Sequence, residues 1–274
     1  MRGFKSGLRS GIATRRTGIA TRDLFSPLVA IPSLWLDGFD SATYSGGVWA
    51  DKSGLNRNFS ELNVNFRPSF LPNGIGNRGS LSYDGINDRL LRTPEAWAYQ
   101  YPLTIFVLFR ASNYGTYSSL LDFYGNSSNT AAGWTLLIKS NSRSAIYCVG
   151  ATGEINYDGS GAVNYPVNEV HLFVATIANN RIESWGNGFS DGLVSFSQSL
   201  RTNLGSSFLT IGASSLFVRY NPVLLASVFI VPSDLSATRR QVLEGYFGWE
   251  AGINSRFPTN HPFRNTPPLA SSWI

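Results

Sequence analysis

Short apolar runs, separated by clusters of Gly, Asn, Ser and Asp, are the feature that most constrains the fold of this chain. The runs recur at even spacing and are rich in β-branched and aromatic residues, a pattern typical of antiparallel strands joined by turns. They occupy residues 103–110, 119–124, 134–139, 145–149, 170–177, 181–185 and 208–211. Asn179-Asn180 predicts a two-residue hairpin turn between two of them. We therefore predict an all-β protein built from antiparallel sheets.

The run at residues 103–109 is apolar on both strand faces, which predicts a strand with a packed layer on each side. Composition agrees, because 14% of residues are aromatic, 27 are glycine and only 14% are charged. A chain of 274 residues is long enough to form one large sandwich with a substantial core. The single cysteine, Cys148, lies in an apolar run and is predicted to be a small buried hydrophobe.

The C-terminal part predicts a strand, a helix and an extended tail, in that order. Residues 224–231 form an apolar run, and residues 236–251 have helical spacing. Ser236 is a favourable N-cap, and Gly252 stands where a helix often ends at positive φ. The Pro-rich residues 256–268 cannot continue the helix, so we expect them to run extended over the domain.

Several segments together resemble a known family. They are the strand-like residues 34–37, the Trp-Ala-Asp-Lys-Ser-Gly turn at 49–54, Leu-Ser-Tyr-Asp-Gly-Ile-Asn-Asp-Arg-Leu at 81–90, the run 171–188, and the C-terminal Glu-Gly-Tyr-Phe-Gly-Trp, Pro-Thr-Asn-His-Pro-Phe and Pro-Pro. In this order they resemble laminin-G-like domains of the concanavalin A-like lectin/glucanase superfamily, as these occur in bacteriophage and bacterial surface proteins. The resemblance covers about residues 33–268. It departs from the family at Glu250-Ala251, where many relatives carry a basic residue and a second tryptophan.

This resemblance implies a two-sheet antiparallel jelly-roll β-sandwich of the concanavalin A type with one C-terminal helix. We assign residues 33–274 to that sandwich, including the closing helix and tail. Residues 1–32 are assigned to an extended basic N-terminal docking arm and its linker.

The arm carries most of the net charge. Residues 1–22 contain six basic residues and no acid, whereas 16 basic and 17 acidic residues follow, so the net +5 is the sum of +6 and −1. A hexapeptide also recurs, as Ser-Gly-Ile-Ala-Thr-Arg at 10–15 and Thr-Gly-Ile-Ala-Thr-Arg at 17–22. The residues predicted to dock on a partner are Arg9, Ile12, Arg15, Arg16, Ile19 and Arg22. The alternatives are a disordered basic tail, a mitochondrial transit peptide and a nucleic-acid contact, the last disfavoured because Phe4 is the arm's only stacking residue.

The candidate catalytic motifs lack the flanking structure or the residues that their chemistry requires. The Gly-x-Gly-x-x-Gly match at residues 74–79 lacks the preceding strand and following helix of a dinucleotide site, so we interpret it as a loop. Glucanases of the superfamily carry Glu-x-Asp-x-Glu on one strand. The nearest segment here has Glu154, Asn156 and Asp158, and its flanking glycines suggest a loop. We therefore predict no enzymatic activity.

Metal sites are also weakly indicated. His171 and His261 lack neighbouring zinc ligands and are interpreted as structural. Calcium is a weak candidate, because Asp84 and Asp88 offer suitable oxygens, but a turn held by Asx hydrogen bonds is favoured. No cofactor is predicted.

Glycan binding needs aromatic rings beside amide and carboxylate groups. The candidate residues are Tyr114, Tyr117, Tyr124, Asn126, Trp185, Asn187 and Asp191. The favoured alternative for each aromatic residue is a place in the core or an interface, since a sandwich so rich in rings must bury most of them.

The sequence thus predicts a non-catalytic virion structural protein, either a head-decoration (cement) protein or a tail-associated protein of a phage particle. The arm would dock on major capsid or tail subunits, and the protein would form a homo-oligomer on the particle. The open alternatives are a host-glycan-binding adhesin and a glucan hydrolase of the same superfamily. No membrane-spanning stretch or removable signal is evident, so no membrane partner is expected.

Overall fold

The computed structural model describes residues 24–124, 131–214 and 219–274. In these ranges it contains 17 strands and one α-helix. In chain order they are β1 Leu34–Asp37, β2 Tyr44–Ser45, β3 Val48–Trp49, β4 Phe59–Ser60, β5 Ser69–Ile75, β6 Arg78–Ser82, β7 Leu90–Arg92, β8 Leu103–Ala111, β9 Tyr117–Asp122, β10 Trp134–Lys139, β11 Ser144–Gly150, β12 Gly153–Asp158, β13 His171–Ala178, β14 Arg181–Gly186, β15 Phe189–Ser195, β16 Leu209–Ile211, β17 Val223–Val231 and α1 Ala237–Ala251.

Two antiparallel sheets form the sandwich. The eight-stranded sheet has the order β15-β14-β13-β8-β17-β6-β5, and β1 also pairs with β17. The nine-stranded sheet has the order β12-β11-β10-β9-β16-β7-β4-β3-β2. The predicted all-β sandwich with a single C-terminal helix is therefore confirmed for the described residues.

The molecule has three layers and two apolar cores. One core lies between the sheets and is lined by alternate residues of facing strands, such as Trp134 of β10 and Ile230 of β17. The second lies between the eight-stranded sheet and α1, where Phe106 and Phe229 meet Phe247 at centroid distances of 5.8 and 5.5 Å. The central strand β8 is buried on both faces, as its apolar run predicts.

Helix α1 begins and ends as its sequence predicts. The Ser236 side chain accepts a hydrogen bond from the Arg239 backbone, and Gly252 at the end of the helix has a φ of 72°. The predicted two-residue turn at Asn179-Asn180 also joins β13 to β14. No described helix is both long enough and apolar enough to cross a bilayer.

Residues 74–79 differ from the predicted loop. They form the hairpin between β5 and β6, in which Gly76 and Asn77 occupy the turn at φ values of 60° and 57°. The left-handed conformation of both residues is the geometry of a tight hairpin turn. The segment therefore leads from strand to strand and has no helix N-terminus to hold a pyrophosphate.

Candidate functional site

The two sheets differ in how their outer faces are covered. The helix and the C-terminal tail lie on the outer face of the eight-stranded sheet, where they enclose the second core. The nine-stranded sheet turns one face to the first core, and side chains of β9–β12 project from its other face. This outer face is the candidate functional surface.

Strand alternation places polar and aromatic groups together on that face. In β12, Glu154, Asn156 and Asp158 are exposed while the intervening residues are buried. Register pairs Asn156 with Tyr147 of β11, and Lys139 of β10 with Tyr117 of β9. Paired residues of neighbouring strands project on the same side of the sheet. We call the set Tyr117, Tyr124, Tyr147, Glu154, Asn156 and Asp158 the tyrosine face.

Aromatic rings form the floor of the tyrosine face. The rings of Tyr117 and Tyr147 meet edge to face at 6.2 Å, and both side chains are half-buried. Leu137 of β10, which lies on the same side of the sheet, is fully buried. Tyr124 donates a hydrogen bond of 2.8 Å from its hydroxyl to Oε1 of Glu154. Together these contacts hold the rings in fixed positions.

Charges surround these rings. Lys139 Nζ lies 2.6 Å from a carboxylate oxygen of Asp158 and 5.8 Å from the Tyr117 ring centroid. The Arg219 guanidinium lies 4.8 Å from the same centroid, which gives Tyr117 a cation–π contact. Burial, followed by nearby carboxylates, raises the pKa of Tyr147 and leaves its hydroxyl protonated at neutral pH.

The segment of Glu154, Asn156 and Asp158 is a strand, which corrects the predicted loop. Glycines flank it, but β12 pairs with β11 along its whole length from Gly153 to Asp158. Glu154 and Asp158 occupy the outer positions of the Glu-x-Asp-x-Glu pattern at the same four-residue spacing, but Asn156 replaces the carboxylate between them and Asp158 is one methylene shorter than a glutamate.

Two of the predicted glycan-binding aromatic residues are buried. Tyr114 is 7% exposed and belongs to the core between the sheets. Trp185 is 8% exposed and packs in the second core, with the Arg240 guanidinium 4.0 Å from its ring centroid. Their positions correspond to the core alternative and not to an open sugar platform.

Two polar residues of the predicted glycan-binding set also make buried hydrogen bonds inside the protein. Asn187 accepts a 2.9 Å hydrogen bond from the Leu172 backbone, and its amide contacts His171. Asp191 is fully buried and accepts a 2.6 Å hydrogen bond from the Ser144 hydroxyl. Neither is available to a ligand at the surface. Of the predicted set, Tyr117 and Tyr124 lie together on the tyrosine face, and Asn126 lies outside the described residues.

The residue that the sequence prediction missed is Tyr147. Its neighbours Ile146 and Cys148 point into the core, so alternation alone places Tyr147 on the outer face. Apart from its ends, β11 contains no strongly polar residue. The sequence therefore shows no alternation of polar and apolar residues that would mark Tyr147 as outward-facing.

The predicted docking residues Arg9, Ile12, Arg15, Arg16, Ile19 and Arg22 lie outside the described residues. The Asp84–Asp88 turn is described. Asp84 Oδ1 accepts backbone hydrogen bonds from Ile86, Asn87 and Asp88 at 2.8–3.2 Å. Burial tends to raise the pKa of Asp84, but these donors outweigh it and hold that pKa below its usual value. The backbone hydrogen bonds of the Asx turn therefore satisfy Asp84 Oδ1.

Solved structures of low sequence identity share the fold. The binding domain of Paraclostridial mosquitocidal protein 1 has a TM-score of 0.59 at 13% identity, over 80% of this chain and 53% of that one. A structure of botulinum neurotoxin type C, whose cell entry depends on interaction with two ganglioside molecules, has a TM-score of 0.55 at 14% identity, over 78% and 50%. Trypanosoma rangeli sialidase has a TM-score of 0.52 at 15% identity, over 74% and 31%.

The chain thus spans about half the length of the two toxin structures. No family model matches it, and no curated protein sequence does. At these identities the likeness shows a jelly-roll-like β-sandwich fold and nothing finer.

Proposed function

We propose that this protein is a non-catalytic glycan-binding module whose ligand lies on the tyrosine face. The proposal depends on one observation: two half-exposed tyrosine rings lie beside the exposed Glu154, Asn156 and Asp158 on a single sheet face. Aromatic rings stack on the apolar faces of sugar rings, while carboxylate and amide groups bond their hydroxyls. The ganglioside dependence of a fold neighbour supports this class of ligand.

The same groups argue against hydrolysis. Each acid of the tyrosine face has a partner, Tyr124 for Glu154 and Lys139 for Asp158. Asn156, which stands where the superfamily's glucanases carry an aspartate, cannot donate or accept a proton as a carboxyl group does.

The test is glycan-array screening followed by titration calorimetry with the best neutral oligosaccharide. Removing one stacked ring by Tyr147→Ala is expected to weaken binding by about 1–2 kcal/mol, or roughly tenfold. Leu62→Ala is the control, because Leu62 is 81% exposed and lies outside the tyrosine face. Equal binding by wild type and the Tyr147 variant, with both folded, would reject the tyrosine face as the glycan site.

A virion role remains a second proposal, favoured by the charge asymmetry. Six basic residues precede a body of net charge −1, and this arm suits docking on acidic capsid or tail subunits. The sandwich would then carry the tyrosine face on the particle surface, in several copies. Cross-linking of intact particles followed by mass spectrometry tests this role, and an absence of arm cross-links would count against it.

A further inference from the structure

A surface cleft lies beside the eight-stranded sheet, between the β14–β15 turn and the C-terminal tail. It has a volume of about 930 Å³ and opens to solvent. Phe189 and Ser190 line one side, and Thr259, Asn260 and Arg264 line the other. None of these residues belongs to the tyrosine face.

The turn is built so that the tail approaches it closely. Asn187 and Gly188 have φ values of 49° and 80°, as a tight hairpin turn requires. A Cβ atom on Gly188 would lie only 3.0 Å from His261 and 3.1 Å from Pro258, so a larger residue would push the tail away. His261 is itself held by a 3.1 Å contact to Glu244 of α1. These contacts hold the tail against the β14–β15 turn and α1.

This geometry leaves Phe189 in an unusual position. Its ring follows the turn directly and is 47% exposed at the rim of the cleft. An exposed ring beside Ser190, Thr259 and Asn260 combines an apolar face with hydroxyl and amide groups, which is the chemistry that recognises a sugar.

The cleft also carries positive charge. Arg256 is compensated, because it forms an ion pair with Glu169 and donates a 2.7 Å hydrogen bond to the Val170 carbonyl. Arg264 donates to the Phe257 carbonyl but has no carboxylate ion-pair partner among the residues that the structure describes. Its remaining guanidinium donors favour a planar anion, above all a carboxylate.

We infer that this cleft binds a carboxylate-bearing sugar. The carboxylate would pair with Arg264, the ring face would lie on Phe189, and hydroxyls would bond Thr259 and Asn260. The site is separate from the tyrosine face, because none of the residues that line it belongs to that set. It therefore does not depend on the function proposed above.

The experiment is calorimetric titration of the full chain with sialyllactose and with lactose, which lacks the carboxylated sugar. We expect sialyllactose to bind at least about tenfold more tightly, the range of a charge-assisted hydrogen bond. Arg264→Gln should abolish this preference, Arg264→Lys should keep part of it, and Phe189→Ala should weaken sialyllactose binding. Leu62→Ala is the control, because Leu62 is 81% exposed and lies in neither the cleft nor the tyrosine face, and it should leave sialyllactose binding unchanged.

Sulfate is the probe for a simple anion site. Displacement of sialyllactose by millimolar sulfate, with no contribution from Phe189, would overturn the sugar assignment. Equal binding of lactose and sialyllactose would overturn the role of Arg264. Loss of sialyllactose binding only in the Tyr147 variant would overturn the cleft and leave the tyrosine face standing. Thermal denaturation of each variant verifies folding. If Arg264→Gln unfolds, Phe189→Ala still tests the cleft, because the Phe189 side chain is exposed and its removal leaves the core intact.

Discussion

Ile31 is the residue whose backbone conformation fits its side chain least well. It ends the short 3₁₀ turn Pro27–Ala30 in the left-handed region, with a φ of 50°. A β-branched side chain rarely adopts this conformation, which costs about 1–2 kcal/mol in a non-glycine residue. The side chain is also 78% exposed, so little packing offsets that cost.

Ile31→Asn is therefore expected to stabilise the protein by about 1 kcal/mol, because Asn tolerates the left-handed region. Urea denaturation monitored by tryptophan fluorescence measures the change. Val29→Asn is the control, since Val29 is 50% exposed on the same turn but has no positive φ. An equal gain in both variants would attribute the effect to replacing an exposed apolar side chain with a polar one and not to relief of backbone strain.

His171 is the second residue whose surroundings make a measurable prediction. Burial is the main cause that lowers its pKa from 6.5 to about 4, and Arg256 lowers it further while Pro166 and Glu169 act in the opposite direction. The folded protein therefore holds His171 neutral at a pH where the unfolded chain binds a proton. Its contribution to stability is present above pH 6.5 and is lost as the pH falls towards 4.

Between pH 7 and 5 this linkage should cost the wild type about 2 kcal/mol of unfolding free energy. His171→Gln removes the titrating group, so the variant should start less stable at pH 7 but lose less on acidification. Urea denaturation at both pH values measures the difference. Parallel pH profiles for the two proteins would show that His171 does not titrate as proposed.

At the scale of elements, a buried ionic network fastens the helix to the tail. Glu244 of α1 is fully buried and pairs with Arg240 one turn earlier and with His261 of the tail. Arg240 also covers the Trp185 ring, which ties the helix to β14. Removing one member of such a network leaves an uncompensated buried charge.

Glu244→Leu is expected to destabilise the protein by about 3–5 kcal/mol, because it leaves the Arg240 charge buried without its partner. The double variant Arg240→Met with Glu244→Leu removes both charges and should be more stable than the single variant. Urea denaturation of the wild type, of the single variants Glu244→Leu and Arg240→Met, and of the double variant completes the thermodynamic cycle. Additive losses would mean that the two side chains are not coupled.

These elements show how far the sequence predicts the fold. The cap of α1, the turn at Asn179-Asn180 and the doubly buried β8 follow from local patterns and are confirmed. The network around Glu244 joins residues distant in sequence, and no local pattern encodes it. The flanking glycines predict a loop at residues 153–158, whereas the pairing with β11, which only the tertiary structure supplies, makes this segment strand β12.

The candidate site was predicted less completely than the fold. Tyr117 and Tyr124 have the composition expected of a glycan platform, but Trp185 and Asp191 have it too and are buried. Composition reports the chemical type of a side chain, whereas the register between strands decides which face it occupies. The tyrosine face combines β9, β11 and β12, so its assembly depends on pairings that the sequence does not specify.

At the scale of the molecule, the packed part of the chain begins earlier than the sequence suggests. Residues up to 32 were assigned to the arm and its linker, yet Leu24 bridges to Leu269 and the Phe25 amide donates to the Pro268 carbonyl. The Phe25 ring is 5% exposed and lies 5.6 Å from Trp273 and 6.0 Å from Tyr246. The linker and the tail thus enclose one side of the second core together.

Two deletions that differ by three residues separate the arm from this packed segment. Removing residues 1–23 should leave the unfolding free energy of the domain unchanged, because the described residues of both cores begin at Phe25. Removing residues 1–26 also removes the Phe25 ring and should cost about 3–5 kcal/mol, the usual cost of emptying a phenylalanine site. Phe25→Ala in the full chain should reproduce that cost, which urea denaturation measures. The shorter deletion is therefore the one to use in particle-attachment assays, since a loss of attachment then reports on the basic arm and not on a loosened core. Equal stability of the two deletion proteins would place Phe25 outside the cooperative unit.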